Sequence, residues 1–300
     1  MNNTTKQSFA AITAGAGRVA LQWRLLVLWV AVLLLPTALL VFPMWGVLTE
    51  QLDHTLHASE LAHQLTPNAI ADLLAAFHAT GIVQSAATVA LIVTLLCSPL
   101  LSGMAISAAR TRNEAQTFGS LMHGAISEYG RMFRLSLWSI VPLGVAGGIG
   151  SAVINLADDY SRNALLRSDA DLASHAALSL TLLLLAIALV TVDAGRAQFA
   201  LSVKRRSAIK AWWRGCKLLI KRPLGSIGSY LALSIAGLAV AAVLGLLRIN
   251  VPHVSLPGFL LGLVLTQLAA AALAWMRNAR LFALIDLARE EFGTVVGPSY

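Results

Sequence analysis

Of the 300 residues, 57% are hydrophobic and only 12% charged, with a mean hydropathy of +0.74, whereas a water-soluble globular chain carries about 25% charged residues. The surplus of apolar surface excludes an ordinary soluble domain and makes lipid the expected solvent. The two cysteines, Cys97 and Cys216, exclude a disulfide framework.

A spanning helix needs about 20 consecutive apolar residues, and six stretches free of Asp, Glu, Lys and Arg meet that need: residues 25–48, 79–109, 135–157, 172–192, 223–247 and 249–276. In chain order, residues 8–24 come first as an amphipathic segment, with Phe9, Ile12, Ala16, Val19 and Trp23 on one face and Arg18 and Gln22 pointing away. The span that follows is too long for the apolar region of a secretory signal and is read as an uncleaved anchor. Next, QLDHTLHASELAHQL (51–65) brings His54, His57, Glu60 and His63 at intervals of three. Each interval turns a helix by about 60°, so His54, His57 and His63 spread around it and converge on a metal only through a loop. A solvated outer segment is the simpler reading, and no cofactor is expected. Thr66, Pro67 and Asn68 then supply a cap and a first-turn proline for a short helix to His78.

After the second span, residues 117–134 repeat the amphipathic pattern. Phe118, Leu121, Met122, Ala125, Ile126, Tyr129, Met132 and Phe133 form one face, with Ser120, Ser127, Arg131 and Arg134 opposite. The third span carries Gly144, Gly147, Gly148, Gly150 and Ser151, and the sixth carries Gly258 and Gly262; such spacings let helices approach closely within one chain. Pro36, Pro43, Pro99 and Pro142 can kink their helices without implying a gate. At the end of the fourth span, Asp193 and Arg196 stand one turn apart as a local ion pair that terminates the transmembrane segment, with a role in locking the basic segment after it as the sharper alternative. That segment, IKAWWRGCKLLIKRPL (209–224), places Lys210, Arg214, Lys217 and Lys221 within an arc of about 60° on a helix. Ile209, Trp212, Trp213, Cys216, Leu219 and Ile220 cover the other side, so the helix should lie in a membrane interface with its cations toward water and anionic headgroups.

The loops alternate in charge. Basic residues collect on the cytoplasmic side of membrane proteins, and assigning the loops on that rule puts 19 basic and 6 acidic residues inside (+13) against 3 basic and 8 acidic outside (−5). Both termini are therefore expected in the cytoplasm, and the net charge of +8 reflects topology, with no nucleic-acid partner implied. Trp23, Trp29, Trp138, Trp212, Trp213 and Trp275 fall near inner ends, as an interfacial belt would. Each amphipathic segment precedes an outward and an inward span, which predicts a single all-α membrane domain, residues 1–300, built as three copies of one unit: 7–109, 116–200 and 205–292.

The runs VDAGRAQFAL, KRRSAIKAWWRG and KRPLGSIGSYLAL resemble a loose group of uncharacterised bacterial six-span inner-membrane proteins and, more distantly, the membrane domains attached to some glycerophosphodiester phosphodiesterases. The resemblance implies a helical protein of the bacterial inner membrane and brings no catalytic residue with it. No Walker loop, nucleophile elbow, paired zinc cysteines or HExxH motif occurs, and no Asp, Glu, Lys or Arg lies mid-span, where ion-coupled carriers place them. The expectation is a non-enzymatic scaffold or accessory subunit that engages anionic lipid, and in some settings another membrane protein, through Lys210, Trp212, Trp213, Arg214, Lys217 and Lys221. The alternative is a transporter or flippase for a lipid-like or neutral solute, with a path past Gln84 and Gln267.

Overall fold

A computed structural model describes residues 9–52, 75, 81–111, 116–163, 166–201, 207–251 and 256–292. Within them the chain folds as helices α1 (Phe9–Ala20), α2 (Trp23–Leu52), α3 (Ile82–Arg110), α4 (Phe118–Trp138), α5 (Ile140–Asn163), α6 (Arg167–Ala200), α7 (Ala208–Lys221), α8 (Pro223–Ile249) and α9 (Leu256–Phe292), with no strand among the described residues. The histidine-rich segment with His54, His57, Glu60 and His63 lies outside them, as does the short helix expected after it except for residue 75, which is helical.

Six helical stretches are long and apolar enough to cross a membrane: Trp23–Thr49, Ile82–Arg110, Phe118–Asn163, Arg167–Ala200, Pro223–Ile249 and Leu256–Phe292. Local chemistry sets several of their limits. Gly81 caps α3 at φ 60°, a backbone that a side chain disfavours. Thr117 opens α4 by a reciprocal exchange: its hydroxyl accepts from the Ser120 N–H (3.1 Å) while its own N–H donates to Ser120 Oγ (3.0 Å). Ser207 caps α7, and Pro223 opens α8 at the first helical position, where its missing donor costs nothing.

Some boundaries differ from expectation. Ser139 alone separates α4 from α5, so the polar-to-apolar change at residue 135 falls inside a helix and the break comes one turn later. Pro142 consequently sits in the first turn of α5, where it bends nothing. Trp23 belongs to α2 and not to the amphipathic α1.

Sequence neighbours pair as hairpins, α2 with α3, α5 with α6, and α8 with α9. The short helices then bridge hairpins: α4 lies on α3, α7 on α6, and α1 on α9. The fully buried residues gather at the end of the molecule carrying α1, α4 and α7, here termed the basic end. There Met104, Ala105, Ile106, Ala108 and Ala109 of α3, Ala194, Ala197 and Phe199 of α6, and Ala279, Phe282 and Ile285 of α9 share one core with Ala16, Ala125 and Ala211 of the short helices. By contrast, only 17% of the most apolar stretch is buried within the protein in five of the six candidate spans, against 44% in Ile82–Arg110. The α9 helix is about 55 Å long at 1.5 Å per residue, well beyond a hydrocarbon layer of about 30 Å. From Ala274 to Ala288 the helix enters the core.

Small residues make the bridging contacts. A Cβ added to Gly215 on α7 would stand 2.5 Å from the Gly195 nitrogen and 2.6 Å from the Ala194 carbonyl carbon, and one on Gly124 of α4 would collide with the Ser107 side chain. Of the glycines in the third span, only Gly150 meets another helix, at Thr181; Gly144, Gly147 and Gly148 face open space, so the close intramolecular packing expected of them is absent. Replacing Gly215 with Ala pushes backbone against backbone and is expected to cost about 1–3 kcal/mol, seen as a lowered Tm in detergent. Gly144→Ala, with room around it, leaves Tm unchanged or slightly raised.

Candidate functional site

The basic helix α7 divides its surface three ways. Ala211, Gly215 and Leu218 are buried against α6, with Trp212 and Leu219 packed beside them. Trp212 donates from Nε1 to Thr191 Oγ1 (3.2 Å) and meets the Trp138 ring edge-on at 6.0 Å. Ile209, Trp213 and Ile220 form a separate exposed apolar strip, Trp213 at 57% and Ile220 at 79% exposure. Lys210, Arg214 and Lys217 are exposed on the third side and make no ion pair or hydrogen bond among the described residues. The single apolar face expected from the sequence is therefore two faces, one taken by protein and one left open. Lys221 also departs from expectation: its Nζ pairs with Glu291 (3.0 Å) and lies over the Phe292 ring. With Arg222 bound to Glu290 (2.6 Å) and Glu291 (3.3 Å), it ties the α7–α8 corner to the end of α9.

Between the two hydrophobic sides of α7 lies Cys216, which is half-buried. Burial pushes its thiol pKa above the ordinary value, because the thiolate is the form that loses hydration.

Asp193 and Arg196 form the predicted pair, Oδ1 to Nη1 at 2.7 Å, and sit within a larger cluster that sequence spacing could not assemble. The Tyr230 hydroxyl of α8 donates to Asp193 Oδ2 at 3.0 Å. Arg280 of α9 lies over the Tyr230 ring at 4.5 Å and donates from Nη1 to Ser234 Oγ at 3.2 Å, while its Nε is buried without a partner. Arg277, one turn away, rests 5.8 Å from the ring centre of the buried Trp29 of α2. Three guanidinium groups thus surround one carboxylate, drawn from α6 and α9, with aromatic partners on α2 and α8.

A second buried carboxylate, Glu128 of α4, is clamped by Arg110 (2.6 Å) and Arg131 (2.6 Å). Arg131, expected to face water beside Arg134, turns inward, and its guanidinium covers the Phe199 ring at 4.9 Å. Arg110 also donates to the carbonyls of Phe199 and Ala200 (3.1 Å to Ala200), and Arg289 donates to Ala109 (2.9 Å). These bonds satisfy carbonyls at the C-terminal ends of α6 and α3, where the helix dipole favours a cation.

The tryptophans are more deeply engaged than a lipid-facing belt requires. Trp275 donates to the Gly17 carbonyl (2.9 Å), and Trp29 is buried, while Trp23 stays exposed. Of the two glutamines on the alternative solute path, Gln267 lines an apolar groove of about 410 Å³ between α2 and α9, with Val27, Val30, Leu34 and Leu263. Gln84 lies in the first turn of α3, exposed, and does not line that groove. Among the described residues no three His, Cys, Asp or Glu side chains converge as a metal site would require.

Asp193→Asn leaves Arg196 without its counter-charge and Tyr230 without its carboxylate acceptor. The expected loss is roughly 1–3 kcal/mol, read as a lower Tm and folded yield in detergent, with a smaller loss for Tyr230→Phe. In the double variant the two losses sum to less than additive, because both remove contacts to one carboxylate. Compared with family models, curated proteins and solved structures, the chain matches none, so the case for function stands on these residues.

Proposed function

We propose that the protein is a non-enzymatic scaffold or accessory subunit of the bacterial inner membrane, with both termini in the cytoplasm. In this reading its basic end contacts anionic lipid through α7. The observation that carries it is the three-sided surface of α7. One side is fixed to α6, the exposed strip of Ile209, Trp213 and Ile220 is the part that enters the headgroup boundary, and Lys210, Arg214 and Lys217 stand above it within reach of headgroup phosphates. Each cation near such a surface contributes about 1 kcal/mol.

The three-unit organisation belongs to the same proposal. In every proposed unit the short helix precedes an outward and an inward span, and it packs on the inward span of the unit before it: α4 on α3, α7 on α6, and α1 on α9 to close the ring. An interfacial role for α1 and α4 follows from that equivalence. The exposed apolar residues Ile126 and Phe133 on α4 support it.

The test is lipid selectivity in reconstituted bilayers. Spin-labelled phosphatidylglycerol is expected to be immobilised by the protein in preference to phosphatidylcholine, and Lys210→Gln/Arg214→Gln/Lys217→Gln should remove most of the preference without lowering Tm. Equal selectivity in the triple variant defeats the reading. Sidedness has its own check in Cys216, studied in a Cys97→Ser background. A membrane-impermeant maleimide should reach it in inside-out vesicles and not in intact cells. The reaction should be slower at neutral pH than that of a solvent-exposed cysteine, the gap closing as pH rises past the raised pKa.

A further inference from the structure

The cluster at the junction of α2, α6, α8 and α9 holds an excess of charge that the chain does not balance. Arg196, Arg277 and Arg280 gather near one carboxylate, Asp193, and the charges of Arg196, Asp193 and Arg280 all act on Arg277. Asp193 accepts at one oxygen from Arg196 and at the other from the Tyr230 hydroxyl, and among the described residues it makes no ion pair or hydrogen bond with Arg277 or Arg280. Arg280 has spent one N–H on Ser234 and keeps a buried Nε without a partner. Among the described residues Arg277 makes no hydrogen bond and rests over the face of Trp29, which leaves the N–H edge of the guanidinium open. Arg277 is also the exposed member of the set, flanked in sequence by buried Met276 and Asn278, so the cluster opens on its side. Among the described residues three cations less one anion leave a local charge of +2, and for Arg196 and the buried Nε of Arg280 charge held away from bulk water is costly when uncompensated.

The geometry points to an anion site for a phosphate group, held by Arg277 and the free edge of Arg280, with Arg196 supplying charge from behind. Guanidinium groups suit this ligand because two parallel N–H bonds match two phosphate oxygens. Trp29 fixes the Arg277 plane, and Asp193 holds Arg196 in place without competing for the ligand. The group can arrive as the headgroup of an anionic phospholipid or as free phosphate; the cations recognise the same chemistry in both. The site is separate from the basic side of α7, whose Lys210, Arg214 and Lys217 point to the surface and take no part.

The experiment measures Tm of purified, delipidated protein in an uncharged detergent at constant ionic strength, adding sodium phosphate against chloride, and phosphatidylglycerol against phosphatidylcholine, with native mass spectrometry for stoichiometry. The wild type should gain stability with a phosphate anion and retain one equivalent. A shift with phosphatidylglycerol alone assigns the site to a lipid headgroup; a shift with inorganic phosphate as well assigns it to phosphate in either form. Arg277→Met removes an unbalanced cation, so its ligand-free Tm should not fall, while the anion-dependent shift should vanish. Arg277→Lys keeps the charge but loses the fork, and its dissociation constant should rise at least tenfold. Lys210→Gln/Arg214→Gln/Lys217→Gln should keep the full shift, so failure of the α7 reading and failure of this one are told apart. No shift in the wild type with either anion, or a shift retained in Arg277→Met, overturns the proposal. Should Arg277→Met yield no folded protein, an unchanged constant in Arg277→Lys overturns it.

Discussion

Close backbone contact between the short helices and the ends of α3, α6 and α9 is what the rest of the fold depends on. Within a bilayer, apolar side chains gain nothing by leaving lipid for one another, so spans need small residues or polar bonds to associate. Small residues are frequent along the spans of this chain, but Gly144, Gly147, Gly148 and Gly245 meet no neighbouring helix. The chain builds its core at the basic end, where Ala16, Ala125, Ala211 and Gly215 let α1, α4 and α7 come within touching distance of α9, α3 and α6. A side chain at Gly215 would separate α7 from α6 and with it the Trp212 contacts to Thr191 and Trp138.

Charge at the basic end does two kinds of work that composition alone cannot separate. Arg110, Arg131, Arg222 and Arg289 are structural: they bind Glu128, Glu290 and carbonyls at helix ends, joining helices that lie far apart in sequence. Lys210, Arg214 and Lys217 make no ion pair or hydrogen bond among the described residues and are exposed. Arg277 and Arg280 belong to neither group, being near the core yet incompletely paired. A single count of cations by loop treats all three groups alike.

The six spans were legible because twenty-residue apolar runs bounded by charge leave little choice. The ion pair of Asp193 and Arg196 was legible too, since one helical turn separates them. Tyr230, Arg277 and Arg280 were not, because they reach Asp193 across two other helices and no local spacing encodes that meeting. Arg131 misled for a related reason: an amphipathic wheel sends it to water, and a buried Glu128 on the next turn brings it back. The apolar side of α7 was read as one face because a wheel cannot distinguish surface that meets protein from surface that meets lipid.

The hydrogen bond from Trp275 to Gly17 joins residues 258 positions apart. Since α1 is made before α9, the buried positions Ile12, Ala16 and Ala20 stay without their partner while the intervening five spans are synthesised and inserted. The ring of helices closes only when the last span arrives. The first helix therefore finds its packing partner only at the end of synthesis, and a chain cut short before α9 has nothing to cover that apolar face.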